Sequence, residues 1–289
     1  MSRKNRSALF VPIKLLLFAG MFALFACSPP ERHINHGMYY WKSADFEYSY
    51  RIDSTLNHLK VSKVFVKLFE VEMDSVLGPV PASVSEVGLW RLRSDEDVKK
   101  NIPARQVIPV VFIRNEVLKY KKLDVALLAD QIVKFAYGKA STYWNRDVKF
   151  DELQIDCDWT ESTAQRYHEL IAAIKQKYQG KVSITLRLYP YKFPDKMGVP
   201  PADRAVLLCY NLLLPSQSGT KNSILDIDVL HDYLDGTDAY PLPLDVALPI
   251  YQMSYLFRNN AFEQTVDWHP KTSEIRYDSL GNGVFRIRE

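Results

Sequence analysis

Three signatures that would assign a chemistry outright are missing from this chain. It has no G-x-S-x-G elbow, no H-E-x-x-H pair and no Walker phosphate loop, so serine hydrolase, zinc protease and nucleotide-handling readings have no support. Its six histidines stand without metal-ligand spacing: His33 and His36 fall in a short polar stretch, His168 and His231 on expected helices, His58 and His269 elsewhere. Neither a metal nor another cofactor is expected. Cysteine is scarce as well, three in 289 residues, which excludes a disulfide framework; Cys157 and Cys209 lie inside apolar runs and read as buried thiols. The apolar run from Leu15 to Ala26 holds 12 residues. That is well short of the roughly 20 that a helix needs to cross a bilayer, so it is not read as a permanent membrane span.

The run fits export instead. Arg3, Lys4, Arg6 and Lys14 precede it, giving the charged and apolar regions of a secretory signal. Leu24-Phe25-Ala26-Cys27 resembles the lipobox of bacterial lipoproteins. The resemblance implies that residues 1–26 are removed and that Cys27 becomes an acylated N-terminus. Each buried acyl CH₂ contributes about 0.8 kcal/mol, so two or three chains would hold the protein on a membrane. The expected location is the cell envelope, lipid-anchored at the outer membrane. A tether, 27–36, with Pro29 and Pro30, would then join the lipid to a folded domain, 37–289. Without the four basic residues of the leader, 33 Lys+Arg face 34 Asp+Glu. A near-neutral domain lacks the basic footprint of a nucleic-acid binder, and nucleic acid is not an expected partner.

The remaining 263 residues suffice for one large domain. Apolar, β-rich runs recur along them: Met38 to Trp41, Val64 to Val71, Val107 to Arg114, Leu153 to Trp159, Val182 to Tyr189, Ala205 to Leu212 and Val246 to Tyr251. Helical or loop-like segments separate these runs, which indicates an α/β fold with a parallel sheet. The clearest helix is Ser162 to Tyr178, where Tyr167, Leu170, Ile171, Ile174 and Tyr178 recur at helical spacing behind a Ser162/Gln165 capping box. Others are expected over about Asp124 to Tyr137 and Asp226 to Leu234. Seven strands with no glycine-rich phosphate turn fit a TIM-type (β/α)₈ barrel better than a doubly wound sheet. After Tyr251 only 38 residues remain, and Gly283 to Glu289 is the sole candidate eighth strand, so the barrel is expected to be irregular or incomplete at that end.

The segment richest in chemistry is Phe150-Asp151-Glu152-Leu153-Gln154-Ile155-Asp156-Cys157-Asp158-Trp159-Thr160. Strand alternation puts Gln154, Asp156 and Asp158 on one face and Leu153, Ile155 and Cys157 on the other. In a barrel the polar face lines the interior and rises toward the C-terminal rim, where active sites in this fold are built. Carboxylates two residues apart on a strand sit about 6 to 7 Å apart, close enough for one to raise the pKa of the other. The blander alternative has one Asp capping the next helix and the other paired with an interior cation, for which Arg187 is the candidate. Aromatic residues make up 12% of the chain, and Tyr189, Tyr191, Tyr210, Tyr240, Tyr251 and Tyr255 fall at or just beyond expected strand ends. Such rings either pack a core or stack on sugar faces.

This strand resembles the fourth strand of family 18 glycoside hydrolases, chitinase-like TIM barrels with a D-G-x-D-x-D-x-E motif. Aligned from Phe150-Asp151, the resemblance puts Gln154, Asp156 and Asp158 on the motif's Asp, Asp and Glu. Aligned on Asp156-Cys157-Asp158-Trp159-Thr160, it puts Thr160 on the glutamate and leaves no acid there. Leu208-Cys209-Tyr210-Asn211 resembles the family's sixth-strand M-x-Y-D, and Ala247-Leu248-Pro249-Ile250-Tyr251 its seventh-strand G-x-P-x-Y. The ordered set covers about residues 37 to 252. It also resembles a group of exported bacterial lipoproteins that carry a Q-x-D-x-D strand in a glycosidase-like barrel.

The resemblance implies a barrel that hydrolyses or binds a carbohydrate polymer. Asp158 would then be the proton donor, tuned by Asp156, and Gln154, Tyr210, Asn211, Tyr251, Tyr189 and Arg187 would bind substrate. The alternative is a non-catalytic glycan-binding or envelope-assembly lipoprotein that has lost the catalytic glutamate.

Overall fold

Val, Ile, Phe and Tyr dominate the expected strands, and their branched or flat side chains suit a pleated, buried surface. In the computed structural model, residues 34–41, 50–84, 105–143, 150–214, 222–237, 239–266, 275–281 and 283–288 are described. The leader, Cys27, the tether up to His33, and His269 lie outside the described residues. The first half of the domain comprises β1 (His36–Tyr40), α1 (Tyr50–His58), β2 (Val61–Asp74), β3 (Gly78–Ala82), β4 (Gln106–Ile113), α2 (Asn115–Lys119), α3 (Val125–Tyr143) and β5 (Glu152–Cys157). Then follow α4 (Ala164–Lys177), β6 (Lys181–Leu186), α5 (Leu188–Lys192), α6 (Pro194–Met197), β7 (Arg204–Leu208), α7 (Ile227–Leu234) and β8 (Leu244–Ala247). The hairpin strands β9 (Ser254–Arg258), β10 (Ala261–Val266), β11 (Tyr277–Gly281) and β12 (Val284–Ile287) complete the described chain.

Strands β1, β2, β4, β5, β6, β7 and β8 lie side by side in that order and pair in parallel. A doubly wound sheet reverses direction at a switch point, whereas a parallel sheet in strict chain order winds one way and curls toward a barrel. The fold is an incomplete (β/α)₈ barrel, and β5 is its fourth parallel strand. All seven expected strands are present. The candidate eighth strand does not join the sheet. Gly281 (φ 89°), the last residue of β11, and Gly283 (φ 73°) adopt left-handed backbone, and Val284–Ile287 folds back on β11 in an antiparallel hairpin. A second hairpin pairs β9 with β10.

Outward faces of the strands form the main core. Val64, Val66 and Leu68 of β2, Leu153, Ile155 and Cys157 of β5, and Val182, Ile184 and Leu186 of β6 pack with the apolar stripe of α4. That stripe is Tyr167, Leu170, Ile171 and Ile174, all fully buried, and each such side chain contributes about 1.5 to 3 kcal/mol by leaving water. The helix ends on Tyr178, whose hydroxyl donates to Phe150 O at 2.7 Å and so ties it to the approach to β5. Its start differs from expectation, because no Ser162/Gln165 box forms. Thr163 occupies the cap position, and its hydroxyl accepts from Thr160 N (2.9 Å) and donates to Asn115 Oδ1 (2.7 Å), while Gln165 reaches Glu169. Burial of the Thr163 hydroxyl demands both partners, which takes the cap one residue later.

Inward faces form a second, smaller cluster. Phe65, Ile108, Val110, Val206 and Leu208 pack with Tyr39, Trp41, Tyr210 and Ala247. Tyr39 lies between Trp41 (ring centroids 5.2 Å apart) and Phe65 (4.4 Å), both stacked on it. The interior is thus a packed core with polar groups concentrated on β2, β5 and β6.

Candidate functional site

Parallel pairing lines up the inward residues in rows. Lys67, Val110, Gln154 and Ser183 are register partners in one row; Glu70, Phe112 and Asp156 are partners in the next. Ile155 and Cys157 face the helices, as strand alternation requires. Gln154 is fully buried beneath the carboxylates. It accepts a hydrogen bond from Tyr39 Oη at 2.7 Å and approaches Ser183 Oγ at 3.4 Å, which makes it part of the floor of the site.

Asp156 lies one row higher and is 7% exposed. The Thr185 hydroxyl on β6 donates to its Oδ1. Removal from water disfavours its charged form, and the Asp158 carboxylate adds like-charge repulsion. These outweigh the Thr185 hydrogen bond and the charges of Arg187 and Lys67, so its pKa is raised to about 6. Asp156 therefore holds a proton under mildly acidic conditions.

Asp158 follows the last residue of β5 and reaches the rim. Arg187, just past β6, donates to it from Nε at 2.6 Å and from an Nη at 3.2 Å, the two-point geometry typical of guanidinium and carboxylate. Burial alone would pull the arginine's pKa down, but the Asp158 hydrogen bond and charge hold it above the ordinary value. The cation named as Asp158's alternative partner is thus in place, and about half of the Asp158 side chain remains exposed.

Aromatic side chains border this pair. Tyr210 and Tyr251 meet edge to face at 6.0 Å, and Tyr251 Oη donates to Asn211 Oδ1 at 2.8 Å. Asn211 takes left-handed backbone (φ 55°), which turns the chain out of β7 and aims its amide at Tyr251. Burial and the nearby Asp156 charge push the Tyr210 hydroxyl well above the ordinary tyrosine range. The expected Tyr189 does not end a strand: it lies in the short α5, half-exposed and tilted against Phe193 at 4.8 Å. Asp156, Asp158, Arg187, Tyr210, Asn211 and Tyr251 are thus linked by contact or mutual charge.

Four further groups escaped the sequence reading: Tyr39, Thr185, Lys67 and Glu70. The last two come from a register shift in β2 between Lys67 and Phe69, which turns both Lys67 and Glu70 inward. They pair with each other at 2.5 Å, and Arg114 reaches Glu70 (3.0 Å) and Glu72 (2.8 Å). Burial would raise the pKa of Glu70, but Lys67 and Arg114 together bring it below the ordinary value. The signal was in the sequence: polar alternation through Lys63 and Lys67 resumes out of phase at Glu70 and Glu72, after adjacent Leu68 and Phe69. Among the described residues no group of three His, Cys, Asp or Glu could hold a metal ion.

No protein-family model matches the chain, and no curated protein matches it either. Among solved structures it is similar to a GH113 β-1,4-mannanase complex, at 14% identity and TM-score 0.35 over 68% of this chain and 80% of the other. A further GH113 β-1,4-mannanase structure gives 13% identity and TM-score 0.37 over 69% and 81%. Catalytic-site mutants of active domain 2 of a thermostable chitinase from Pyrococcus furiosus, complexed with chito-oligosaccharides, give 15% and 0.36 over 62% and 58%.

Proposed function

We propose that the barrel acts on carbohydrate by general acid catalysis, with Asp156 as the group that delivers the proton. The observation behind this reading is the buried Asp156 carboxyl, with a pKa near 6, below a rim of Asp158, Arg187, Tyr210 and Tyr251. An acid with a pKa near the working pH is protonated often enough to act and acidic enough to release its proton. The sequence reading gave that role to Asp158. We assign it to Asp156 instead, because Asp158 is already committed to Arg187 through both carboxylate oxygens. Asp158 then fixes Arg187 and raises the pKa of its neighbour. Sugar is the inferred substrate class because the strand motifs resemble family 18 glycosidases and the rim is aromatic and hydroxyl-rich.

Release of reducing ends from a panel of bacterial and host glycans tests this reading. The parent should cleave at least one of them, and Asp156→Asn should abolish cleavage while sparing binding. Undiminished turnover by Asp156→Asn would sink it.

The Arg187–Asp158 pair also favours a second reading, a non-catalytic glycan-binding or envelope-assembly barrel in which that pair has a structural role. Binding without reducing-end release by the parent would select that alternative.

We further propose that the protein is exported and lipid-anchored through Cys27, on the strength of the charged leader, the 12-residue apolar run and Ala26-Cys27. Among the described residues no helix is long and apolar enough to cross a membrane. Mass spectrometry of membrane-extracted protein should find an acylated Cys27 at the N-terminus, and Cys27→Ser should accumulate as uncleaved precursor.

A further inference from the structure

We propose that Trp41 is the platform on which the sugar stacks, holding a pyranose ring by its C–H face beside Asp156. The inference rests on the glycan reading above, with or without cleavage, and adds to it a binding residue and the part of the sugar that it grips.

Trp41 tops a column of three rings that rises through the interior. Phe65 is buried in the inner core, Tyr39 stacks on it at 4.4 Å, and Trp41 stacks on Tyr39 at 5.2 Å with the two ring planes 2° apart. Trp41 follows the last residue of β1 and lies two residues beyond Tyr39, so both pack into the inner cluster and Trp41 is the one nearer the C-terminal rim. Core packing accounts for Phe65 and Tyr39. It does not account for a third ring that stays partly exposed.

A hydrogen bond across the interior relates this column to the acid. Tyr39 Oη donates to Gln154 Oε1 at 2.7 Å, and β1 and β5 run in the same direction. The next inward residue above Tyr39 is Trp41, and the next above Gln154 is Asp156. Two residues along a strand rise about 6 to 7 Å, so the indole and the carboxyl each stand one step above the bonded floor. Asp156 and Tyr210 also both act electrostatically on the Tyr39 hydroxyl, so both lie close to the ring that Trp41 covers.

The chemistry of a sugar ring suits this place. A pyranose carries apolar C–H bonds on its faces and hydroxyls around its edge. Stacked on Trp41, it would bury an apolar face against the indole and turn its hydroxyls toward Asp158, Arg187 and Asn211 at the rim. β1 is the edge strand of the described sheet, with β2 as its one neighbour there, so no strand of that sheet screens its other side. The stack on Tyr39 fixes the indole before sugar arrives, which lowers the ordering cost of binding. Trp41 supplies grip and position; it moves no proton.

The test titrates the parent with cellohexaose, mannohexaose, chitohexaose and maltohexaose. In protein carrying isotope-labelled tryptophan, the indole N–H signal missing from Trp41→Phe identifies Trp41. With a hexaose that binds, this signal should shift, and Trp41→Leu should weaken binding about 10-fold or more, whereas Trp41→Phe, which keeps a flat ring, should weaken it only about 2- to 3-fold. Where that hexaose is cleaved, the loss in Trp41→Leu should fall on KM, with kcat within a few-fold of the parent. A Trp41 signal unmoved at saturation, or Trp41→Leu binding within about two-fold of the parent, overturns this proposal and leaves the glycan reading standing. Should Trp41→Leu fail to fold, the indole signal of the parent still decides. A parent that binds none of the four overturns the glycan reading and this proposal with it.

Discussion

Thr185 and Asp156 face each other from neighbouring strands inside the barrel, and the threonine hydroxyl donates to the carboxyl's Oδ1. Such donation favours the ionised carboxylate. Burial and the Asp158 charge nevertheless outweigh it, and the pKa rises to about 6. Asp156 is thus an acid whose surroundings keep its proton to a higher pH than usual while retaining a partner for its charged state.

That balance fixes how stability depends on pH. An unfolded Asp titrates near 3.9, so between about pH 4 and pH 6 the native state binds more protons than the unfolded state, and the Asp156 contribution falls as pH rises through that window. Asn in its place still offers a carbonyl oxygen to Thr185 and carries no charge. Two pK units correspond to about 3 kcal/mol, so Asp156→Asn should be more stable than the parent by roughly 2 to 3 kcal/mol at pH 7.5 and about equal to it near pH 4. Urea denaturation of both proteins at three pH values measures the difference. A difference independent of pH would contradict the raised pKa.

Arg187 acts on both carboxylates. Its charge lowers the pKa of Asp156, so Arg187→Met should move the Asp156 titration to higher pH, read by NMR of the side-chain carboxyl. Lys67 and Thr185 still face Asp156 in the variant and limit the change. The loss of stability should be small, about 1 kcal/mol or less, because the pair is partly exposed and solvent screens it. A fall in the Asp156 pKa would refute the arrangement.

Much of this site was legible in the sequence. Period-two alternation in Gln154-Ile155-Asp156-Cys157 sorted the inner from the outer face, because a buried sheet tolerates charge only toward a polar interior. The seven strands were legible for a similar reason: each is an apolar run bounded by polar or helical segments. Glu70 and Thr185 were not found, since neither belongs to a motif and each acquires meaning from a neighbour distant in the chain. The strand ends were misplaced at Tyr189, Leu212 and Tyr251, where apolar composition continues although the backbone has already left the strand. The capping box failed on a tertiary contact, the Thr163 hydrogen bond to Asn115, which no local pattern announces.

Gly180 sits in the tight connection from α4 to β6. A Cβ there would lie 2.7 Å from Asp151 O and 2.7 Å from a Tyr178 ring carbon. The carbonyl belongs to the backbone that also accepts from Lys181 N at 2.8 Å, so it has little room to retreat. Gly180→Ala should cost about 1 to 3 kcal/mol as an overpacked site, read as a lower denaturation midpoint. Unchanged stability would mean that the connection is looser than described.

The floor beneath the acids can be tested without touching them. Tyr39 Oη donates to Gln154 Oε1 at 2.7 Å, and Gln154 is fully shielded from solvent. Tyr39→Phe keeps the ring stacked between Trp41 and Phe65 but removes the donor, leaving a buried amide oxygen short of a partner. An unsatisfied buried acceptor costs about 1 to 3 kcal/mol, a loss that denaturation should register in full. The same variant discriminates between roles for Gln154. As part of the floor, Gln154 supports the site from below, so Tyr39→Phe should destabilise the protein while glycan affinity at saturating fold stays within a few-fold of the parent. As a sugar ligand, Gln154 would gain a free acceptor on loss of Tyr39, and affinity for hydroxyl-rich glycans would rise. Isothermal titration at a temperature where both proteins are fully folded separates the two outcomes, and a marked gain in affinity would move Gln154 from the floor into the binding site.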